Sequence, residues 1–254
     1  MNKKMLSLNM LASVCSYLVS LAVSLFLTPY IIGSLGKELY SYFSIANNFV
    51  SYMSIISIAL NSMASRFITI EEAKGKHKEA NRYFSSVFWG NIVLIAALSF
   101  LSFFLIFRIE WILNISERNI GVVKLLFAMI IAAMFVKLIS SVFSVATYVK
   151  DKLYLNSVES ICHAVIRAVI LFGLYIFLEP SILYLGYVSL GLAAVDLCYF
   201  IVINRKIYPE SGISFSDCSI SYMRRLISSG VWRSVDSLGG LLLFNTDLII
   251  ANML

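Results

Sequence analysis

The sequence predicts an all-α, polytopic transmembrane helical bundle, and three observations carry that prediction. Seven apolar stretches, each long enough to cross a hydrocarbon layer of about 30 Å, fill almost the whole of the 254 residues. Hydrophobic residues make up 60% of the chain and charged residues only 13%, about half the charged share of a soluble domain. A few charged side chains nevertheless sit deep inside the apolar runs, where a charge is costly and must face protein or water.

The first span is read at residues 8–32. It is too long for the apolar core of a signal peptide and no small-residue cleavage site follows it. Pro29 near its end predicts a kink. The second span is read at 40–68, the third at 84–107 and the fourth at 120–147. The fifth covers 155–178, the sixth 181–203, and a seventh starts near 225. Only Glu179-Pro180 separates the fifth from the sixth, which predicts a tight antiparallel hairpin. The segment Glu71–Arg82 has mixed charge and reads as a short surface helix or turn with His77 exposed. The chain reaches Ala251-Asn252-Met253-Leu254 still inside an apolar run. Residues 1–224 therefore read as an N-terminal six-helix lobe, and 225–254 as the first helix of a second lobe, cut short.

Basic residues set the expected orientation. One set of loops carries Lys3, Lys4, Lys74, Lys76, Lys78, Arg82, Lys150, Lys152, Arg205, Lys206, Arg224 and Arg225, twelve in all; the other carries Lys37, Arg108 and Arg118. By the positive-inside rule the first set, with the N-terminus, faces the cytoplasm of a multi-pass cell (inner) membrane protein. The net charge of +6 follows from these short loops. It does not point to nucleic acid, because no soluble face gathers the charge.

Enzyme and cofactor signatures are absent from the sequence. It holds no G-x-S-x-G, no H-E-x-x-H and no glycine-rich phosphate loop. Cys15, Cys162, Cys198 and Cys218 are far apart in sequence and make no metal or redox motif. The expectation is a protein without catalytic residues, cofactor or metal.

Polar stripes mark several spans instead. Ser16, Ser20, Ser24 and Thr28 recur every fourth residue in the first span, and Asn47, Ser51, Ser54, Asn61 and Ser65 fall near one face of the second. Lys137, Ser141, Ser144 and Tyr148 do the same in the fourth. Close helix packing through small residues is one reading of such stripes; lining of a wet cavity is the other. The asparagines and Lys137 favour the cavity. In the fifth span Glu159, His163 and Arg167 recur every fourth residue. Asp196 in the sixth needs a partner, for which Arg167 is the candidate. In the seventh, Arg233, Asp236, Gly240 and Asp247 fall within a sector of roughly 60°. That face suits either a functional surface or a structural Arg233–Asp236 ion pair. Lys137, Arg167 and Arg233 could together hold an anion, and the arginine fork suits phosphate oxygens.

Three stretches resemble a known family. Leu27-Thr28-Pro29-Tyr30-Ile31-Ile32-Gly33 leads into Leu35-Gly36-Lys37-Glu38-Leu39-Tyr40-Ser41. Ala64-Ser65-Arg66-Phe67-Ile68 is followed by the charged loop and Asn81-Arg82-Tyr83-Phe84-Ser85. Asn245-Thr246-Asp247-Leu248-Ile249-Ile250 lies in the seventh span. Together they resemble the polysaccharide flippases, Wzx-like O-antigen and capsule exporters of the multidrug/oligosaccharidyl-lipid/polysaccharide transporter superfamily. Those proteins usually carry glycine where this chain has Ser41.

The resemblance implies two six-helix lobes around a cationic cavity that opens alternately to either side. It also implies a polyprenyl-diphosphate-linked oligosaccharide as cargo, with membrane lipid and polysaccharide-assembly proteins as neighbours. Arg66 and Asp247 carry over by motif position. The expected cavity residues are Arg167, Arg233, Lys137, Arg66, Asn47 and Asn61, and the candidates for a coupling ion are Asp236, Asp247 and Asp196. Two rivals remain at this stage: a cation-coupled drug antiporter of the same superfamily, and a membrane-embedded glycosyltransferase or polymerase. The second would need a larger outer loop than Arg108–Asn119.

Overall fold

Helices begin and end where the apolar runs meet glycine, proline and charge. The structure is a computed structural model that describes residues 3–111, 113 and 115–253; side chains at 118 and beyond 240 lie outside the described set. Among the described residues there are eight α-helices and no strand. They are α1 (Lys3–Leu35), α2 (Lys37–Asn61), α3 (Ala64–Ala73), α4 (His77–Phe107), α5 (Ile120–Val149), α6 (Tyr154–Phe177), α7 (Leu183–Ile207) and α8 (Ile220–Met253). With α2 and α3 taken as one span, six helical segments among the described residues are long and apolar enough to cross a membrane. The seventh expected span lies in α8.

Three of the turns are built by residues in the left-handed region. Gly36, at φ 84°, joins α1 to α2 in a single residue. Gly75, at φ 72°, ends α3: the Lys76 amide returns to the Glu71 carbonyl and the Gly75 amide to Glu72, which satisfies the last carbonyls of the helix. α4 thereby starts at His77, seven residues before the expected Phe84. Asp151, at φ 54°, ends α5 in the same manner, with the Lys152 amide 2.7 Å from the Thr147 carbonyl. Asn9 of α1 steadies this turn. Its Nδ2 donates to the Asp151 carbonyl at 3.1 Å, and its Oδ1 accepts the Tyr154 amide at 2.9 Å, so α1 caps the start of α6.

Two expectations are corrected. The second span is not one helix over 40–68. It breaks at Ser62–Met63 and resumes as α3. The break falls beside Asn61, whose side-chain amide is captured by Asn91 of α4 in a reciprocal pair at 2.9 and 2.8 Å. Likewise α6 and α7 are not chiefly each other's partners. They touch, but α6 lies mainly on α1 and α7 mainly on α5. Pro29 sits inside a continuous α1.

Charged ends confirm the alternation of helix directions. Glu72, His77, Lys150, Tyr208 and Glu210, from three separate loops, meet at one end of the bundle. We call it the basic end. Lys124 pairs with Glu110 at 2.8 Å at the other end, adding one cation to the sparse set. The apolar core has one mass at each end. Leu27, Ile31, Phe43, Leu126, Phe127 and Leu171 pack away from the basic end. Ile68, Tyr83, Phe84, Val87, Ala146 and Leu226 pack near it. Large apolar side chains cover the outside, among them Phe26, Phe100, Phe103 and Trp232. Such a surface suits lipid and would be a liability in water.

Candidate functional site

A polar cavity of about 520 Å³ lies between α1, α5, α6 and α7. The every-fourth-residue pattern of α1 turns Ser20, Ser24 and Thr28 toward it, while Ser140, Ser141 and Ser144 of α5 form the facing wall. Lys137 of α5 and Arg167 of α6 both line it. Neither makes an ion pair among the described residues. The Arg167 guanidinium has the Phe43 ring 5.9 Å away, a contact that stabilises a cation without neutralising it. Two cations without an ion-pair partner among the described residues thus face a cavity whose α6–α7 wall also carries the carboxyl groups of Glu159 and Asp196. A second cavity of about 110 Å³ adjoins it and shares Lys137, His163 and Arg167; Asn47 of α2 lines this smaller space.

Three ionisable groups gather on the wall formed by α6 and α7. His163 Nδ1 lies 2.8 Å from Asp196 Oδ2, and both side chains are mostly buried. The expected partner of Asp196 was Arg167; the structure gives His163 instead. His163 lies one helical turn from Arg167 toward the basic end, which brings it level with Asp196. Glu159, one further turn along, completes the group. The carboxylate oxygens of Glu159 and Asp196 and a ring nitrogen of His163 lie within 4.8 Å of one another, close enough to share a cation. The amide Oδ1 of Asn156, on the same cavity wall, is buried and has no donor among the described residues.

The remaining expected residues are spread over the molecule. Asn61 is committed to Asn91 and does not line the cavity. Arg66 is exposed on α3. Arg233 and Asp236 pair at 3.1 Å on α8, with side chains 63% and 72% exposed, away from Lys137 and Arg167. α8 presents a different face to α2, where Gly230 meets Ala59 and the Ser234 hydroxyl donates to the Ile55 carbonyl. The Asp247 side chain lies outside the described residues.

Sequence reasoning missed the cluster at the basic end. Glu72 accepts from His77 at 2.9 Å, from Tyr208 at 3.1 Å and from Lys150 at 3.3 Å, and His77 also reaches Glu210 at 3.5 Å. Glu72, His77 and Glu210 are the second set of ligand atoms within 4.8 Å of one another. The Tyr208 phenol is pushed above its ordinary value, first by burial and then by the Glu72 carboxylate beside it. The mixed charge of Glu71–Arg82 was the available signal, but its partners come from loops more than seventy residues away.

Comparison with known proteins agrees with this architecture. Residues 6–254 match the family model described as polysaccharide biosynthesis protein. The chain is 24% identical over 248 residues to a Bacillus subtilis (strain 168) protein described as uncharacterized membrane protein EpsK; the match covers 98% of this chain and 49% of that protein. The chain thus spans about half the length of the curated relative it matches. No solved structure matches it. With its bundle of apolar helices and a family match over nearly its whole length, the chain belongs to the polysaccharide biosynthesis protein family, a polysaccharide flippase family of the multidrug/oligosaccharidyl-lipid/polysaccharide transporter superfamily.

Proposed function

We propose that the protein moves an oligosaccharide linked to polyprenyl diphosphate from the cytoplasmic to the outer leaflet by alternating access. The observation that carries this reading is the pair of unpaired cations, Lys137 and Arg167, in a serine-rich cavity within the spans. The diphosphate is neutralised by these two side chains. The sugars contact the hydroxyls of Ser20, Ser24, Thr28 and Ser141, and the prenyl chain stays in lipid. In this reading residues 1–224 are one lobe and α8 opens a second. Arg233 and Asp236 belong to the face turned toward that second lobe. The basic end is cytoplasmic, and polysaccharide-assembly proteins are the natural neighbours.

The test is export of lipid-linked sugar in cells that depend on the full-length protein. Arg167→Ala should abolish it while leaving the protein level unchanged, and Arg167→Lys should retain part. Loss of one charge-assisted contact weakens headgroup binding by about one to two decades, or roughly 1.5–3 kcal/mol. Unimpaired export by both Arg167→Ala and Lys137→Ala would refute the reading.

One observation favours cation-coupled drug antiport as a second reading: the Glu159–His163–Asp196 group offers a cation site. Export of a cationic dye by the wild type, with no polysaccharide defect on deletion, would select it.

A further inference from the structure

The turn between α3 and α4 and the start of α8 enclose a further polar space at the basic end. It is a cavity of about 690 Å³, lined among others by Lys76, Lys78, Glu79, Tyr83, Tyr222 and Arg225. It shares no residue with the cavity of Lys137 and Arg167. Its three cations come from segments far apart in sequence. Lys76 and Lys78 are exposed and make no ion pair among the described residues. Arg225 donates from Nη1 to the Tyr83 hydroxyl at 3.1 Å, a neutral acceptor that leaves its charge uncompensated. The carboxylates on the rim are already engaged. Glu71 pairs with Lys74 at 2.8 Å, and Glu79 pairs with Arg82 at 3.4 Å and accepts from the Tyr222 hydroxyl. His77 is held by Glu72 at 2.9 Å.

With Lys74 and Arg82 counted beside the carboxylates they partner, five cations stand against two carboxylates, so the space carries an excess of positive charge. Basic residues that only set orientation need no such convergence, because they act from anywhere in a short loop. The first turn of α4 borders the same space and has no side-chain cap, which adds to the positive potential. Depth identifies the kind of anion. The apolar run of α4 begins at Phe84, and Lys78 precedes it by six residues, about 9 Å of helix. Arg225 stands directly before Leu226-Ile227. In a bilayer these cations therefore lie at the headgroup layer, which is about 5–8 Å thick on each side of the hydrocarbon. The Tyr83 and Tyr222 rings, 4.6 Å apart and edge to face, line the cavity at the level where interfacial tyrosines sit.

We propose that this cavity binds the headgroup phosphate of an anionic phospholipid from the leaflet that meets the basic end. The phosphate lies between Lys76, Lys78 and the Arg225 guanidinium, whose fork suits two oxygens at once. A zwitterionic headgroup brings its own cation into a space that already holds an excess of positive charge, so it is the poorer ligand. Inorganic phosphate supplies the charge but has no acyl chains to hold it at this depth. A bound lipid touches both the α3–α4 turn and the first turns of α8, and so ties the six-helix unit to α8 from outside. The site is independent of the cargo and of the Lys137–Arg167 cavity.

The test uses the full-length protein in a neutral detergent, with dioctanoyl phosphatidylglycerol as probe and native mass spectrometry to count the lipids bound. At a lipid concentration that just fills the site, the wild type should retain one more phosphatidylglycerol than a variant carrying both Lys76→Glu and Lys78→Glu. The affinity of the site in that variant should be at least about tenfold lower. Arg225→Gln should lose the same lipid. Lys76 and Lys78 are exposed and without ion pairs among the described residues, so the double variant should unfold at the wild-type midpoint in lipid-free detergent. Lys206→Glu, exposed at the same end but outside the cavity, is the control and should keep the lipid. Dioctanoyl phosphatidylcholine and inorganic phosphate at the same concentration should fail to displace it. Equal loss in Lys206→Glu and the double variant would reduce the effect to general surface charge and overturn the site. Displacement by inorganic phosphate would make this a soluble-phosphate site and overturn the lipid assignment. An unchanged lipid count in the double variant would overturn both.

Discussion

Gly230 of α8 lies directly against the Ala59 carbonyl of α2, so closely that any Cβ built at position 230 would overlap the carbonyl oxygen. The neighbouring Ser234 hydroxyl donates to the Ile55 carbonyl at 3.1 Å, one turn further along both helices. Small residues four apart thus let two backbones touch, a common way for helices to associate in lipid. Gly230→Val should separate α8 from α2 and cost about 1–3 kcal/mol of stability. Thermal unfolding in detergent measures it; Ser234→Ala should cost less than Gly230→Val.

The Asn61–Asn91 pair holds α2 to α4 at the point where the second span breaks. Asn91 is fully buried, so removal of its partner strands an amide. Asn61→Leu alone should therefore destabilise by about 1–3 kcal/mol. Replacing both asparagines by leucine should recover much of that loss, because no polar group then remains buried without a partner. Unfolding midpoints of the two single variants and the double variant complete the cycle; strictly additive losses would mean that the pair is not coupled.

Tyr208 ties the end of α7 to Glu72 of α3, and Lys150 lies 4.9 Å over its ring. Tyr208→Phe keeps the ring under Lys150 and removes only the hydroxyl, for an expected loss of about 0.5–1.5 kcal/mol. The folded state raises the phenol above its ordinary value. Its contribution is thus fully present below the unfolded value of about 10 and is lost as pH rises through the higher folded value. Hydrogen exchange of residues 70–80 should quicken at alkaline pH in the wild type, and less so in Tyr208→Phe.

The proposed orientation places Ser116 outside and Lys76 inside. A membrane-impermeant thiol reagent applied to intact cells should label Ser116→Cys and miss Lys76→Cys in a background lacking the native cysteines. The opposite pattern would invert the topology and put the mouth of the cavity on the wrong side for export.

How much of this was legible before the fold can be read from particular residues. Span positions follow from apolar runs and loop charge, and apart from the broken second span they came within about five residues of the helix ends, except at the start of α4, which lies seven residues earlier than expected. The Ser62–Met63 break was not legible. Ile58-Ala59-Leu60 and Ala64-Ser65-Arg66 are ordinary helical sequence on both sides, and the break lies beside an amide–amide hydrogen bond to another helix. The serine stripe of α1 was legible as one face, and its Ser20, Ser24 and Thr28, though not the buried Ser16, line the cavity. The choice of His163 over Arg167 as partner of Asp196 was not. It depends on the axial register of α6 against α7, and a spacing of four residues within one helix carries no information about register with the next. The same limit applies to α8. The Arg233–Asp236 pair is readable from its spacing, whereas the side of α8 that meets α2 is decided by Gly230 and Ser234.

The way α1 caps α6 has a mechanical consequence. Because Asn9 holds the Tyr154 amide and the Asp151 turn, α1 cannot slide along α6 without giving up three hydrogen bonds. The two helices therefore behave as one leaf, and α5 with α7, packed along their length, as another. The cavity is the gap between the leaves, and the His163–Asp196 bond is a clasp across that gap. The clasp therefore sits at the joint between two plates. Any separation of the two plates has to break that clasp, and it would carry the serines of α1 away from those of α5 without either helix having to bend.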